Sequence, residues 1–337
     1  MRRQRPPGGA AGFPVKVDDK FGTATIAAPP KRVATVGFNE QDFALALGVR
    51  PVARREFLGS FDYKTRPWAP EQGAPAEVGG AEIDFERLAS TRPDLILGIY
   101  SFIKSGDYDK LSAIAPTVAQ GKRYTDGATP WDVQLLTTGR ALGREDRARQ
   151  VVSEVKARFA AARKEHPEFA GKTITVLFDS GGTRFVLNRD DLRSQFFADL
   201  GFRVPAEYSK KGFEANLSTE QLSLLDTDVI VLIADRASPL ASSRLFRQLS
   251  AVREGRVVTL AADGASAGAL GYNSPLSRPY LLERIVPGPR RRRRRRPRDE
   301  GATGHRRLAG RCLPDDLAAE DGQLHLRVLD RPGADRT

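Results

Sequence analysis

Residues 143–166, GREDRARQVVSEVKARFAAARKEH, restrict the fold of this chain more than any other segment. Val151, Val152, Val155, Phe159 and Ala162 share one helical stripe, charged residues fill the other faces, and Pro167 stops the run. The spacing therefore predicts one long amphipathic helix. The same grammar appears on either side of it. Before it, KRVATVG is a β-branched run ending in glycine, and NEQDFALALGV is an amphipathic helix closed by Gly48. FERLAS is a helix beginning near Phe85 that stops before Pro93, and Leu95 to Ile99 form a buried strand. After the long helix, KTITVLFDS reads as strand, LRSQFFADLGFRV as a helix ending at Gly201, and TEQLSLLDTDVIVLIAD as helix and then strand. Strands that alternate with helices imply parallel sheets covered on both faces, an α/β fold.

The restart has the marks of a degenerate repeat. Glu86-Arg87-Leu88 leads in eight residues to Asp94-Leu95-Ile96-Leu97, and Glu220-Gln221-Leu222 leads in eight residues to Asp228-Val229-Ile230-Val231. Leu47-Gly48-Val49-Arg50 likewise echoes Leu200-Gly201-Phe202-Arg203. One such match is what any helix-to-strand unit produces. Two in the same order, on either side of one long helix, favour two similar lobes joined by a helical strut. The expected division is a spacer and lead-in at 1–30, a first lobe at 31–142, the linking helix at 143–166, a second lobe at 167–287, and an arginine-rich tail at 288–337.

Composition narrows the chemistry. The single cysteine, Cys312, rules out an internal disulfide, and His166, His305 and His325 lie far from any dense ligand cluster, so no metal site is expected. The net charge of +12 is uneven, because residues 288–337 carry 14 Arg against 8 Asp and Glu, half of the total. That tail, with seven consecutive arginines, lacks Phe, Tyr, Trp and Lys. A nucleic-acid binder interleaves its cations with aromatics that stack on bases, so the tail argues against that partner. An enzyme on this scaffold is disfavoured too. G-x-G-x-x-G follows no strand, DSGGTRF has neither its spacing nor a Lys-Ser/Thr ending, and Asp190-Asp191 reads as a turn before a helix. No stretch reaches the ~20 apolar residues that a bilayer span needs.

KRVATVGFNEQDFALALGVRPV, FERLASTRPDLILG, YDKLSAIAPTV and YNSPLSRPYLLERIVP closely resemble the actinobacterial iron-siderophore ABC-transporter substrate-binding proteins, relatives of the vitamin B12-binding proteins. The resemblance runs from about Phe13 to Pro287. It implies two Rossmann-like lobes with parallel sheets bridged by one long α-helix, a shallow cleft between them, and no catalysis or cofactor. The implied ligand is a ferric siderophore, whose own groups fill the iron's coordination sphere. The implied partner is the permease of an ABC importer, served by a monomer outside the cytoplasmic membrane. Cobalamin or haem is the alternative ligand within the same fold, although only His166 in the body offers an axial ligand for haem.

In such a fold the cleft is lined by segments leaving the carboxyl ends of strands. Those segments carry aromatics and arginines, from which the candidate ligand-binding residues are Arg55, Trp68, Tyr100, Tyr124, Arg184, Tyr272 and Arg278. Flat aromatic faces supply contact area at little entropic cost, and guanidinium groups suit the negative oxygens around the iron. Each has a plainer reading. Trp68, like Trp131, fits a cap on the core. Only one of Arg54 and Arg55 points inward on an extended backbone, and Arg184 after DSGGT fits a solvated loop. By the resemblance, Glu86 and Glu220 are permease-docking residues that meet permease arginines, and as first-turn acids they also stabilise their helix dipoles.

Both ends carry expectations of their own. The first residues, MRRQRPPGGAAGFPV, hold positive charge without an apolar run, so the chain as written lacks an export signal. GGAAGFPV reads as the spacer that follows a lipid-bearing cysteine in secreted relatives, which implies a native lipoprotein. The resemblance stops after Pro287. Alanine codons of a GC-rich gene, read one base out of register, become arginine and proline, so a frame change accounts for the tail; a genuine disordered basic tail is the alternative.

Overall fold

The computed structural model describes residues 12–56, 59–69, 73–210, 222–223 and 225–286. The arginine-rich tail and Glu220 lie outside these residues.

The lead-in is more than a spacer. β1 (Val15–Asp18) and β2 (Thr23–Ile26) form an antiparallel hairpin in which Val15, Val17, Ala24 and Ile26 turn inward and their neighbours outward. That alternation is the signature of a half-buried sheet. The first lobe follows as β3 (Val33–Thr35), α1 (Glu40–Ala46), β4 (Ala53–Arg54), β5 (Ala76–Glu77), α2 (Phe85–Ser90), β6 (Leu95–Gly98), α3 (Ser105–Ile114), β7 (Thr117–Ala119) and α4 (Trp131–Ala141). Its sheet is parallel throughout, in the order β5-β4-β3-β6-β7. Every residue of β6 is buried, as expected of a strand covered on both faces. From β3 the chain moves to one side of the sheet and from β6 to the other. Their carboxyl ends therefore open the crevice at which doubly wound sheets hold ligands.

α5 (Glu145–Glu165) is the linking helix, about 30 Å long at 1.5 Å per residue. It buries Ala148, Val151, Val155, Phe159 and Ala162, while Val152 is only partly covered. Glu145 and Asp146 open it, and Arg163 and Lys164 close it, each complementing the helix dipole. α4 lies against it so closely that a Cβ on Gly139 would stand 2.5 Å from that of Ala148.

The second lobe comprises β8 (Ile174–Ser180), β9 (Thr183–Val186), α6 (Leu192–Ala198), β10 (Val229–Ala234), α7 (Pro239–Ser242), α8 (Arg244–Gln248), α9 (Ser250–Arg253), β11 (Val257–Ala261), α10 (Ala265–Tyr272) and α11 (Ser277–Ile285). The sheet order is β11-β10-β8-β9, with β11, β10 and β8 parallel as expected and one antiparallel edge strand added. β9 runs antiparallel to β8, because Gly181 and Gly182 both take positive φ (60° and 76°) and reverse the chain in two residues. Two consecutive left-handed residues make the hairpin turn that matches strand twist, and glycine adopts it without a Cβ penalty. One apolar core runs without interruption from the N-terminal hairpin through the first lobe and α5 to Ile285, and a smaller cluster underlies each sheet. Among the described residues no helix is long and apolar enough to cross a membrane.

Candidate ligand-binding cleft

The carboxyl ends of β3 and β6 build an aromatic wall. The Phe38 N–H donates to the Tyr100 carbonyl (3.0 Å), joining the two crossover segments at the switch point. Phe102 takes φ 56°, and its ring packs 5.2 Å from Tyr100 and 6.0 Å from Phe38. At 39% exposure Phe102 is one of the few large apolar side chains open to solvent among the described residues. Gly127 lets the loop before α4 approach it, since a Cβ there would sit 3.1 Å from the Phe102 ring. Sequence reasoning missed Phe102. The available signal was an aromatic four residues past the end of a buried strand, with no place in any helical or strand period.

Behind this wall lies a buried carboxylate. Glu40 has no exposed surface, accepts the Tyr100 N–H, and packs against Gly37, where any Cβ would collide with it. Burial pushes its pKa up from 4.5 to about 7, against the backbone hydrogen bonds and the Arg55 charge that favour the anion. Arg55 is buried as well. Its guanidinium donates to the carbonyls of Gly80 (2.6 Å), Ser101 (3.1 Å), Val36 (3.3 Å) and Ala81, and it covers the Phe38 ring at 4.3 Å. It braces three loops from beneath. Arg54 is buried too, against Glu77 and the Tyr63 ring, so both neighbouring arginines are enclosed rather than one.

Asn39, Gln41 and Asp42 are polar yet buried, because residues of the second lobe cover them. The Asn39 side chain donates to the Tyr272 carbonyl (3.0 Å), and Gln41 donates to the Tyr272 hydroxyl (2.8 Å). Asp42 accepts from the Ser274 hydroxyl (2.7 Å) and the Trp68 indole (2.8 Å), and pairs with Arg66 at 3.2 Å. Burial outweighs these partners and moves the Asp42 pKa upward. Tyr272, expected to face the ligand, is instead fully buried in this bridge. Burial raises the pKa of its phenol strongly. Trp68 belongs to the same bridge, with rings of Phe61, Tyr272 and Tyr280 at 5.4 to 5.6 Å.

Arg278 is also removed from the ligand. It has no exposed surface, donates to Asn273 (2.6 Å) and Asp199, and lies between the rings of Phe159, Trp131 and Phe196 at 4.3, 4.9 and 5.3 Å. Burial lowers its pKa to about 10 despite the Asp199 charge. It fastens α11 to the linking helix.

The second lobe contributes a polar pocket at the carboxyl ends of β8 and β10. A cavity of about 450 Å³ is lined by Asp179, Ser180, Arg184, Asp235 and Ser238 among others. Arg184 pairs with Asp179 at 2.9 Å, and the Ser238 hydroxyl takes the other Asp179 oxygen. Asp235 accepts from the Ser180 hydroxyl (2.6 Å) and the Gly181 N–H (2.8 Å), which hold its carboxyl below the ordinary range. The two halves meet near Tyr100, whose phenol is raised by burial and then by the Asp191 charge, with Arg193 opposing. Asp190-Asp191 is a turn, closed on Asn188, and Asp191 caps α6.

The remaining candidates are scattered. Tyr124 is half-buried in the loop before α4 with Arg123 over its ring at 4.7 Å. Glu86 is exposed in the first turn of α2, away from the wall. His166 stacks on Phe169 and meets Glu168 at 2.9 Å where α5 ends. Among the described residues no three His, Cys, Asp or Glu side chains gather as a metal site.

A family model described as periplasmic binding protein matches residues 56–263. The chain belongs to that family. Its place is thus outside the cytoplasmic membrane, and it is a solute-binding protein rather than an enzyme. Among solved structures, this binding protein is similar to a periplasmic solute binding protein from Mycobacterium smegmatis, with 29% identity and a TM-score of 0.68, covering 80% of this chain and 95% of the other. It is similar to PiaA of Streptococcus pneumoniae, solved in complex with ferrichrome, at 26% identity and a TM-score of 0.68 over 80% and 95% of the two chains. SirA of Staphylococcus aureus, complexed with staphyloferrin B, shares the fold at 22% identity and a TM-score of 0.64, over 80% and 97%. A search of curated protein sequences returns no match.

Proposed function

We propose that this binding protein is the substrate-binding component of an ABC importer, capturing a ferric siderophore between its lobes and delivering it to a membrane permease. One observation carries the reading. An aromatic wall of Phe38, Tyr100 and Phe102 stands at the carboxyl ends of the first sheet, and a polar pocket stands at the carboxyl ends of the second. A bulky chelate with an apolar rim and a polar iron centre needs both surfaces. The likeness to PiaA, solved with ferrichrome, supports it. Tyr100, Tyr124 and Arg184 remain ligand-facing candidates, joined by Phe102. Glu86 and Glu220 dock the permease, and the native protein is an actinobacterial lipoprotein, related to vitamin B12-binding proteins, that works as a monomer.

Haem is the weaker reading, since His166, the one histidine among the described residues, is engaged by Phe169 and Glu168 at the end of α5. Titration of the purified protein with ferric hydroxamate, ferric catecholate, haem and cobalamin, followed by tryptophan fluorescence, tests the proposal. Saturable quenching by a ferric siderophore is expected. Saturation by haem or cobalamin alone rejects it.

A further inference from the structure

The second-lobe pocket holds more carboxylates than guanidinium groups among its described residues. Arg54, Arg55 and Arg278 are spent on Glu77, on four backbone carbonyls, and on Asp199 with Asn273. Among the described residues lining the second-lobe pocket, a single guanidinium, Arg184, faces two carboxylates, Asp179 and Asp235. Arg184 is paired with Asp179 at 2.9 Å, so among the described lining residues the charge left over is that of Asp235. Its neighbour Arg236 is opposed by Asp263 at 4.0 Å. Asp235 is exposed, and its two donors, Ser180 and Gly181, use part of a carboxylate that offers about four acceptor positions.

Ferric chelates differ in charge by their chemistry. Each hydroxamate binds iron after losing one proton, so three of them neutralise Fe(III). Each catecholate loses two, so three leave the complex a trianion. A pocket with net negative charge repels the second and accepts the first, and a pendant ammonium adds attraction. The cavity of about 450 Å³ falls in the range of small-molecule sites.

Resting on the siderophore reading above, we propose that the second-lobe pocket selects ferric trihydroxamates carrying a pendant ammonium, seated on Asp235 beside the Ser180 and Ser238 hydroxyls, and rejects ferric tricatecholates. The chelate body then lies against Phe102 and Tyr100.

The test compares three probes on the full chain by isothermal titration: a linear ferric trihydroxamate with a free primary amine, the same chelate with the amine acetylated, and a ferric tricatecholate. Acetylation should weaken binding about fivefold, the size of a good solvent-accessible ion pair. That gap should narrow as salt rises. Asp235→Asn should abolish the gap between the free amine and its acetylated form, and the tricatecholate should bind weakest. The proposal is overturned, with the siderophore reading intact, if acetylation is neutral or favourable or if the tricatecholate binds best. If none of the three binds, the siderophore reading falls with it. The salt series on the unaltered protein decides the question even if the variant folds poorly.

Discussion

Replacing Arg278 separates a residue that builds the protein from one that reads the ligand. Arg278→Ala removes a fully buried side chain from between three rings, and truncations of that size cost about 2–5 kcal/mol. The Asn273 side-chain oxygen, itself buried, loses its donor, adding about 1–3 kcal/mol. Asp199 is 47% exposed and rehydrates, so its loss of a partner adds little. Against this, the site disfavours the charge, as the pKa of about 10 shows, and deleting it recovers about 3 kcal/mol. The net is a loss of about 3 kcal/mol, or roughly 10 °C in melting temperature for a unit of this size. Arg278→Met keeps most of the volume and sheds the desolvation cost, so it should lose about 1 kcal/mol or less. Thermal melts of the three proteins, with ligand titration of each well below its melting point, provide the readout. If the Ala variant melts with the parent but binds a ferric chelate tenfold more weakly, the guanidinium reaches the ligand and the structural assignment is wrong.

Glu40 makes stability depend on pH in an unusual direction. Its folded pKa of about 7 lies above the unfolded 4.5, so the folded state holds the proton more tightly and stability falls as pH rises between those values, by about 3 kcal/mol in all. Glu40→Gln should flatten that fall in melts taken from pH 5 to 8; an unchanged slope assigns it to another group. Gly139→Ala should destabilise by about 1–3 kcal/mol in urea unfolding despite the better helix propensity of alanine, because the new methyl meets Ala148. A variant as stable as the parent would show that α4 can shift freely. Joint charge reversal of Glu86 and Glu220 should abolish uptake in cells while leaving ligand affinity intact, and undiminished transport would remove both from the docking surface.

What the sequence made legible depended on which partner each residue meets. The stripe of α5 could be read because its apolar face and charged faces are sharply separated, and β6 and β10 because strands covered on both sides are apolar throughout. Tyr100 was placed at the carboxyl edge of its sheet by counting from a buried strand. The burial of the NEQD segment was not legible, since a polar side chain facing another lobe looks, in sequence, like one facing water. Arg55, Tyr272 and Arg278 have the residue types of a ligand site, but carbonyls and rings far along the chain enclose them. β9 was obscured because a four-residue strand after two glycines carries too little period to show its direction.

The bridge between Asn39–Asp42 and Tyr272–Ser274 joins positions 231 to 233 residues apart. The first lobe therefore cannot finish on its own. Until the last two helices arrive, the Asn39 and Gln41 amides lack their Tyr272 acceptors and Asp42 lacks the Ser274 hydroxyl, and loop closure over such a distance is slow. Order of synthesis then sets order of assembly. The strands and α5 are able to form as they emerge, while the seam between the lobes closes last. That makes the seam the step at which a quality-control protease, or a chaperone at the membrane, can distinguish a finished binding protein from an incomplete one.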